Sequence, residues 1–425
     1  MSSLYRNSGF MRLFLGRIVT NAGDSAYGIA AMWLVFELTG SSFYTGLAGF
    51  LSFGPQALQF LVGPLIDRWP VRNLLVGTQF AQMVGVSLIP LAAFTGHLSV
   101  WVVLVLMPVL AFLNQFVYPA QHAVLPKLVT DDQLVEANSL FSFGYQGTDL
   151  VFTALSGALI AVVGATNLFA LDAVTFAVAV LLFVGLRIPR EEPSNDSESD
   201  DESSSSAFAD YRAELREGFD YIRGSVFSTM VVGSVVVNAA YAMLIAVLPA
   251  FADSLGGPAA YGLVAAAMGG GSLVGTIVAS RVEHHPYGRV AIASYVLSAA
   301  CLGIAFTVSW LPATIAFVFA AFVPSGLTSV LFRSMVQSAI DDSLLGRVFS
   351  VISSLSTLMM PVGALFGGYI ATYAGVETVV AVLPVCWGLL AVYFGLHPKL
   401  RRLPAVTSAD ELSLGVRRGT PVSDG

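Results

Sequence analysis

Residues 63–72 read Gly63-Pro64-Leu65-Ile66-Asp67-Arg68-Trp69-Pro70-Val71-Arg72. They form a short charged stretch between two apolar segments, 43–66 and 73–94, each close to the ~20 apolar residues that a helix needs to cross a bilayer. The stretch is too short to fold on its own. It therefore predicts a turn between two membrane-spanning helices.

The rest of the chain repeats this pattern. Its 425 residues are 56% hydrophobic and only 11% charged, whereas a soluble domain carries roughly a quarter charged residues. Apolar segments of bilayer length occur at 13–37, 43–66, 73–94, 98–118, 134–163, 167–186, 226–250, 259–280, 289–308, 310–332, 347–373 and 376–397. We therefore predict an all-α membrane protein with twelve transmembrane helices in a lipid bilayer.

Basic residues predict the orientation, because cytoplasmic loops retain Lys and Arg. With the N-terminus inside, all 20 Lys and Arg fall at inner ends of segments or in inner loops. The outer loops carry none; they are 38–43, 95–98, 164–167, 251–258, 309–310 and 374–377. The sequence thus predicts a protein of the cell membrane with cytoplasmic N- and C-termini.

The two halves of the chain are similar to each other. Asp131-Asp132-Gln133-Leu134 is matched by Asp341-Asp342-Ser343-Leu344, and at the same offset Gly157 is matched by Gly367. Many secondary transporters are built by such duplication, with the substrate site near the midplane between the halves. We predict two pseudo-symmetric six-helix bundles, 1–186 and 225–397.

The segment between the bundles, 187–224, is acidic and rich in serine. Its composition predicts a disordered cytoplasmic linker. Apolar residues at helical spacing predict one short amphipathic helix within it: Phe208, Tyr211, Leu215, Phe219 and Ile222. Residues 398–425 are predicted to be a disordered cytoplasmic tail.

The stretch 63–72 resembles the G-x-L-x-D-R-x-G-R-[RK] loop of the major facilitator superfamily, although Pro70 and Val71 depart from its usual glycine and arginine. The resemblance implies the major facilitator fold. It also implies a conformational latch, whose residues are Gly63, Asp67, Arg68 and Arg72. The glycine lets neighbouring helices approach, and Asp67 can accept charge-assisted hydrogen bonds in one transport state.

Further stretches resemble a branch of this family that includes the enterobactin exporter and the macrolide-efflux proteins. They are Phe10-Met11-Arg12-Leu13 through Asn21-Ala22-Gly23-Asp24, Pro119-Ala120-Gln121 with Leu125-Pro126-Lys127-Leu128, Glu136-Ala137-Asn138-Ser139-Leu140, Leu215-Arg216-Glu217-Gly218 with Tyr221-Ile222-Arg223, and Leu345-Gly346-Arg347-Val348. The resemblance implies export of a lipophilic or amphipathic compound, driven by proton entry. Many exporters of the family carry a Gly-Pro pair in the fifth helix, where this chain has Phe152-Thr153. Proton coupling must therefore be argued from ionisable groups.

Acidic residues inside apolar segments cost roughly 2.5–3.5 kcal/mol at a helix centre, so each needs a reason. At 1.5 Å per residue, Asp24 lies about 18 Å along its helix from Arg12, and Asp149 lies about 20 Å from Glu136. Both should sit near the bilayer midplane, and we interpret them as the proton-coupling residues. Asp172 is nearer the outer surface and fits the family's Leu-Asp-x-x-Thr-Phe stretch, so we interpret it as structural.

Polar residues at helical spacing flank both acids and predict a water-filled cavity. The candidates for the cavity and the substrate contacts are Asn21, Gln56, Gln59, Asn114, Tyr145, Gln146, Asn238, Tyr241, Trp33 and Phe36. We find no metal-binding, nucleotide-binding or catalytic motif. We therefore expect no cofactor, no metal, no nucleic-acid partner and no enzymatic activity, and we expect a monomer.

The favoured hypothesis is a secondary active transporter that exports an amphipathic or lipophilic small molecule, such as a drug, macrolide or siderophore-like compound, by proton antiport. One alternative is an importer or a facilitator of a lipid-like solute, with the same fold and no antiport. A more distant alternative is a polytopic membrane enzyme or sensor.

The orientation can be tested with topology reporters. A reporter that is active only outside the cell should be active when inserted near Gly256 and silent near Ser199, because Lys and Arg keep the second region inside. The reverse pattern would contradict the predicted orientation.

Overall fold

The computed structural model describes residues 3–56, 69–187, 225–340 and 342–408, together with residues 216, 219, 221 and 223. This described part is helical and contains no strand. The helices are α1 (Ser8–Thr39), α2 (Ser42–Phe53), α3 (Val71–Phe94), α4 (Val100–Asn114), α5 (Val117–Leu128), α6 (Asp131–Val163), α7 (Ala165–Val184), α8 (Val226–Asp253), α9 (Pro258–Val282), α10 (Tyr287–Thr307), α11 (Leu311–Ala339), α12 (Asp342–Ala374), α13 (Val376–Leu396) and α14 (Pro398–Arg401).

Ten helical segments of the described part are long and apolar enough to cross a membrane. Helices α4 and α5 together make one of them, Val100–Leu128. Helix α1 is not among the ten although it has 32 residues. The reason is a polar stripe that lowers its hydropathy, made of Arg17, Asn21, Asp24, Ser25 and Gly28. The chain thus has the helices of a multi-pass membrane protein, while the number twelve and the two six-helix bundles remain predictions.

The helices belong to two compact units. The first contains residues 1–40, 51–209 and 257–263, and the second contains 41–50, 210–256 and 264–425. In the first unit, aromatic side chains such as Phe10, Phe141 and Phe183 form a buried core. In the second, the buried core includes Phe227, Met335 and Phe394.

The same helix pairs pack in each unit. In the first, α1 packs against α6 and α7, and α3 packs against α4 and α7. In the second, α8 packs against α12 and α13, and α10 packs against α11 and α13. Helices in equivalent positions of the two sequence halves therefore pair in the same way, as duplication of one ancestral unit would produce.

The repeated acidic motif marks a helix start in both halves. Helix α6 begins at Asp131, preceded by a capping box in which Thr130 and Gln133 cap each other's backbone. Helix α12 begins at Asp342, which matches Asp132 of the first half. Asp131 and Asp132 lie in the first turn of α6, where acidic residues offset the positive end of the helix dipole.

Several predicted features lie outside the described residues. These are Gln59, Gly63, Asp67 and Arg68, and nearly all of the amphipathic helix predicted within the linker. Of the predicted tail, residues 398–408 form α14 and a short 3-10 turn, Val406–Ser408. Leu400 and Leu403 are buried there in the core of the second unit.

Glycines bring helix backbones together at the duplicated position. A methyl group on Gly157 of α6 would lie 2.7 Å from the Cα atom of Gly262. At the matching position, a methyl group on Gly367 of α12 would lie 2.8 Å from the Cα atom of Met243. Lipid tails give apolar helices no hydrophobic reason to associate, so such close backbone contact is a main source of attraction.

The contrast between Gly157 and Gly147 tests this packing, because both lie on α6 and a methyl group on Gly147 would meet no atom within 4 Å. Gly157→Ala should lower the stability in detergent by about 1–3 kcal/mol through overpacking. Gly147→Ala should leave the stability unchanged or raise it, since alanine favours the helix. Equal thermal unfolding midpoints for the two variants would contradict the close contact.

Candidate functional site

A buried arginine organises the polar stripe of α1. Arg17 is only 2% exposed. Its Nε atom donates to Gln121 Oε1 at 3.1 Å and to the Tyr145 hydroxyl at 3.2 Å, and its Nη1 atom donates to Thr20 Oγ1 at 3.1 Å. The guanidinium group therefore links α1 to α5 and α6.

Two aromatic rings and a further hydrogen bond complete the surroundings of Arg17. The Tyr145 hydroxyl donates to Gln121 Oε1. The guanidinium carbon lies 5.2 Å from the ring centre of Tyr118 and 5.5 Å from that of Tyr145. Such cation–π contacts stabilise a positive charge that has left water.

The two predicted coupling acids lie close to this stripe: Asp24 is part of it, and Asp149 faces it from α6. Asp24 Oδ2 accepts from Asn114 Nδ2 at 3.2 Å, which connects α1 to α4. Asp149 Oδ1 accepts from Ser25 Oγ at 2.9 Å, which connects α6 to α1. Asp24 thus lies on α1 itself, and Asp149 of α6 contacts the next residue of that turn, Ser25.

Asn21 lies on α1 one turn before Ser25 and links it to α6. Its side chain donates to the backbone carbonyl of Tyr145 at 3.3 Å. Its own backbone carbonyl accepts from Ser25 at 2.8 Å. Hydrogen bonds through Asn21 and Ser25 therefore link Tyr145 to Asp149. The Asp24–Asn114 pair lies beside these contacts, because Asp24 is next to Ser25 on α1.

A further acid borders this group from α7. Asp172 is only 1% exposed, and its Oδ1 atom accepts from Thr175 Oγ1 at 3.0 Å. Its Oδ2 atom and the nearby Tyr27 hydroxyl are buried with no hydrogen-bond partner in the described part. A methyl group on Gly23 would collide with Asp172 and Thr175, so only glycine lets α1 approach this acid.

Other predicted cavity residues lie apart from the cluster. Trp33 is 7% exposed, stacks on Tyr261 with ring centres 6.2 Å apart, and contacts Phe36 at 5.9 Å. It is nine residues beyond Asp24 on α1, about 14 Å along the helix. Gln146 is exposed and donates to a carbonyl of its own helix. Gln56 is partly buried at the end of the described part of its segment.

The second unit contains two of the predicted residues. Asn238 donates to the Ser234 carbonyl of its own helix at 2.9 Å. Tyr241 packs its ring against Phe322, 6.3 Å away. The Ser234 and Ser356 hydroxyls share a hydrogen bond of 2.8 Å. The described polar residues of this region are thus neutral.

Arg72 is the one member of the predicted latch within the described residues. It is exposed and donates to the backbone carbonyl of Val184 at the end of α7. The described residues contain no group of three or more His, Cys, Asp or Glu that could hold a metal ion.

The sequence places Arg17, Tyr118 and Gln121 on polar faces without marking them as site residues. The helical spacing could have identified Arg17 as a site residue, because it precedes Asn21 by one turn and Asp24 by two turns on the same stripe. A cation inside an apolar segment needs a compensating partner as much as an acid does. Which residues supply the partners depends on how α5 and α6 pack.

The family model of the Major Facilitator Superfamily matches residues 13–364 and 230–420. Macrolide efflux protein A of Streptococcus pyogenes is 25% identical over 383 residues, covering 87% of this chain and 90% of that protein. The multidrug efflux pump Tap of Mycobacterium tuberculosis is 25% identical over 427 residues, covering 96% and 98%.

Among solved structures, a bacterial homologue of the human lysosomal transporter Spinster, in an inward-facing and occupied conformation, has a TM-score of 0.70 at 13% identity. It covers 93% of this chain and 97% of its own. The nucleoside transporter NupG has a TM-score of 0.67 at 11% identity, with coverage of 91% and 98%. Likenesses at such low identity show the fold alone.

The role of the Tyr145 hydroxyl in holding Arg17 can be tested by removing one atom. Tyr145→Phe should lower the stability in detergent by about 1–3 kcal/mol, because a buried cation loses an acceptor and Gln121 loses a donor. Tyr369→Phe is the matched control, since Tyr369 is 51% exposed. Equal unfolding midpoints for both variants would show that the hydroxyl does not hold Arg17.

Proposed function

Because the chain belongs to the Major Facilitator Superfamily, we propose that this transporter exports an amphipathic or lipophilic small molecule, in exchange for protons that enter through Asp24 and Asp149. The observation that carries the proposal is the cluster itself. Asp24 lies on α1 two turns beyond the buried Arg17 and accepts a hydrogen bond from Asn114. Asp149 of α6 accepts a hydrogen bond from Ser25, the residue next to Asp24.

Proton coupling is supported by the cost of charge at Asp24, which is partly buried, whereas Asp149 is exposed in the structure. An ionised carboxylate away from bulk water is unfavourable unless hydrogen bonds or a cation compensate it. Asp24 receives a hydrogen bond from Asn114 and lies near enough to Arg17 for an electrostatic interaction. Binding of a proton therefore changes the charge of the Arg17–Asp24 pair from neutral to positive.

This change in charge supplies a reason for antiport. A neutral pair, together with ionised Asp149, attracts a cationic or polarised substrate, whereas the protonated and positive pair repels it. Substrate and proton then exclude each other, and exchange follows if each stabilises a different access state. Alternating access of the two halves around a midplane site is the general mechanism for transporters built by duplication.

The substrate class is supported by the side chains that border the acids. Tyr118 is 44% exposed next to the Arg17 guanidinium, so an aromatic face is available beside charged groups. Such a combination suits molecules that are apolar over most of their surface and carry a few polar or cationic groups. The names of the macrolide and multidrug efflux relatives agree with this class.

The proposal includes the orientation and the latch predicted from the sequence. The protein lies in the cell membrane as a monomer with both termini inside, and Asp67, Arg68 and Arg72 stabilise one transport state. The contact of Arg72 with the end of α7 supports a role for this loop in joining neighbouring helices.

The decisive experiment uses protein reconstituted in vesicles with an imposed proton gradient. The substrate is first selected from dyes, macrolides and siderophores by their accumulation in cells with and without the protein. Asp24→Asn and Asp149→Asn mimic the protonated carboxyls, so gradient-driven export should fall to background while substrate exchange at equilibrium persists. Asp253→Asn is the control, because Asp253 is exposed at the end of α8.

Two outcomes would contradict the proposal in different ways. Full gradient-driven export by the Asp24→Asn, Asp149→Asn double variant would eliminate both residues as coupling groups. Transport by the unmodified protein that ignores the proton gradient would instead favour a facilitator with the same fold.

A further inference from the structure

A basic cavity lies at the start of α1, away from the acid cluster. Its volume is about 500 Å³, within the range of ligand-binding pockets. The lining includes Asn7, Ser8, Gly9, Arg12, Lys127 and Arg187. These residues come from the start of α1, the end of α5 and the chain just beyond α7, all in the first unit.

The cavity carries three positive charges and no negative one among its lining residues. Arg12, Lys127 and Arg187 are all exposed residues that border the cavity. One Arg12 nitrogen donates to the backbone carbonyl of Gly185, which fixes this side chain against the end of α7. Charges of one sign around a concave surface raise the local concentration of an oppositely charged ligand.

The start of α1 adds to the positive electrostatic potential of the cavity. Ser8 and Gly9 are the first residues of α1, a helix of 32 residues. Asn7 caps this end by accepting from the Phe10 amide at 3.1 Å. The N-terminus of a long helix carries a partial positive charge and favours phosphate groups.

The cavity lies where two apolar helical segments end. Val100–Leu128 and Ala165–Val184 are both long and apolar enough to cross a membrane, and the cavity is lined by Leu128 and by Gly185, next to Val184. The ends of membrane-spanning helices lie at the level of the lipid headgroups. Basic pockets between such helices recognise anionic headgroups.

We propose that this cavity binds a phosphate group through Arg12, Lys127, Arg187 and the N-terminus of α1, and that the phosphate belongs to an anionic lipid of the surrounding leaflet. The assignment does not depend on proton coupling or on the identity of the transported substrate. A soluble phosphate compound offers the same chemistry, and the experiment below separates the two sources.

The test is native mass spectrometry of the full-length protein with phosphatidylglycerol and phosphatidylcholine. The protein should retain phosphatidylglycerol in preference to phosphatidylcholine. Lys127→Gln with Arg187→Gln should weaken phosphatidylglycerol binding by about thirtyfold, since each cation near an anionic lipid contributes a factor of about five. Lys127→Arg with Arg187→Lys keeps the charges and should keep the binding.

The matched control removes two exposed basic residues of the second unit, Arg281→Gln with Arg289→Gln, and should leave binding unchanged. Equal loss in this control would show only a general effect of charge and overturn the site. Unchanged binding in the Lys127→Gln, Arg187→Gln variant would overturn it as well. If glycerol phosphate competes as well as the lipid, the ligand is soluble and the lipid assignment is wrong.

Discussion

The positive charge of the buried Arg17 side chain needs hydrogen-bond acceptors, because the helices around it are mostly apolar. Gln121, Tyr145 and Thr20 supply its acceptors, and the ring of Tyr118 faces it. Because these partners come from α1, α5 and α6, the positions of three helices are fixed around one charge. Removing a partner from a buried charge is far more costly than the loss of an ordinary hydrogen bond.

This constraint determines where the two acids lie. Asp24 and Asp149 occupy the turns of α1 and α6 that follow the Arg17 contacts, and each receives a hydrogen bond from a neighbouring helix. A proton or a substrate that changes the charge of this cluster therefore acts on contacts between helices. Coupling between a local charge and helix packing is what a transporter with two access states needs.

Glycine residues allow close contacts between helices elsewhere in the structure. Gly23 lets α1 approach the buried Asp172, and Gly157 and Gly367 allow close backbone contact at the duplicated position. At its start, the same α1 contributes to the basic cavity lined by Arg12, Lys127 and Arg187. One helix thus contributes both to the hydrogen bonds around Arg17 and to this basic cavity, and its polar stripe is the reason for its low hydropathy.

The sequence by itself determined the all-helical membrane class and the family, because these follow from segment length, periodicity and local motifs, while the roles of Asp24 and Asp149 remain proposals. It also placed Asn21, Asn114 and Tyr145 on the faces that meet Asp24 and Asp149. It did not determine the acceptors of Arg17, the burial of Asp172, or the packing of Trp33 on Tyr261 away from the acids. Those features depend on the rotation and spacing of helices that are distant in sequence. Because the apolar surfaces of these helices are similar, their rotation and spacing are set by glycine contacts and buried hydrogen bonds, which exist only in the folded protein.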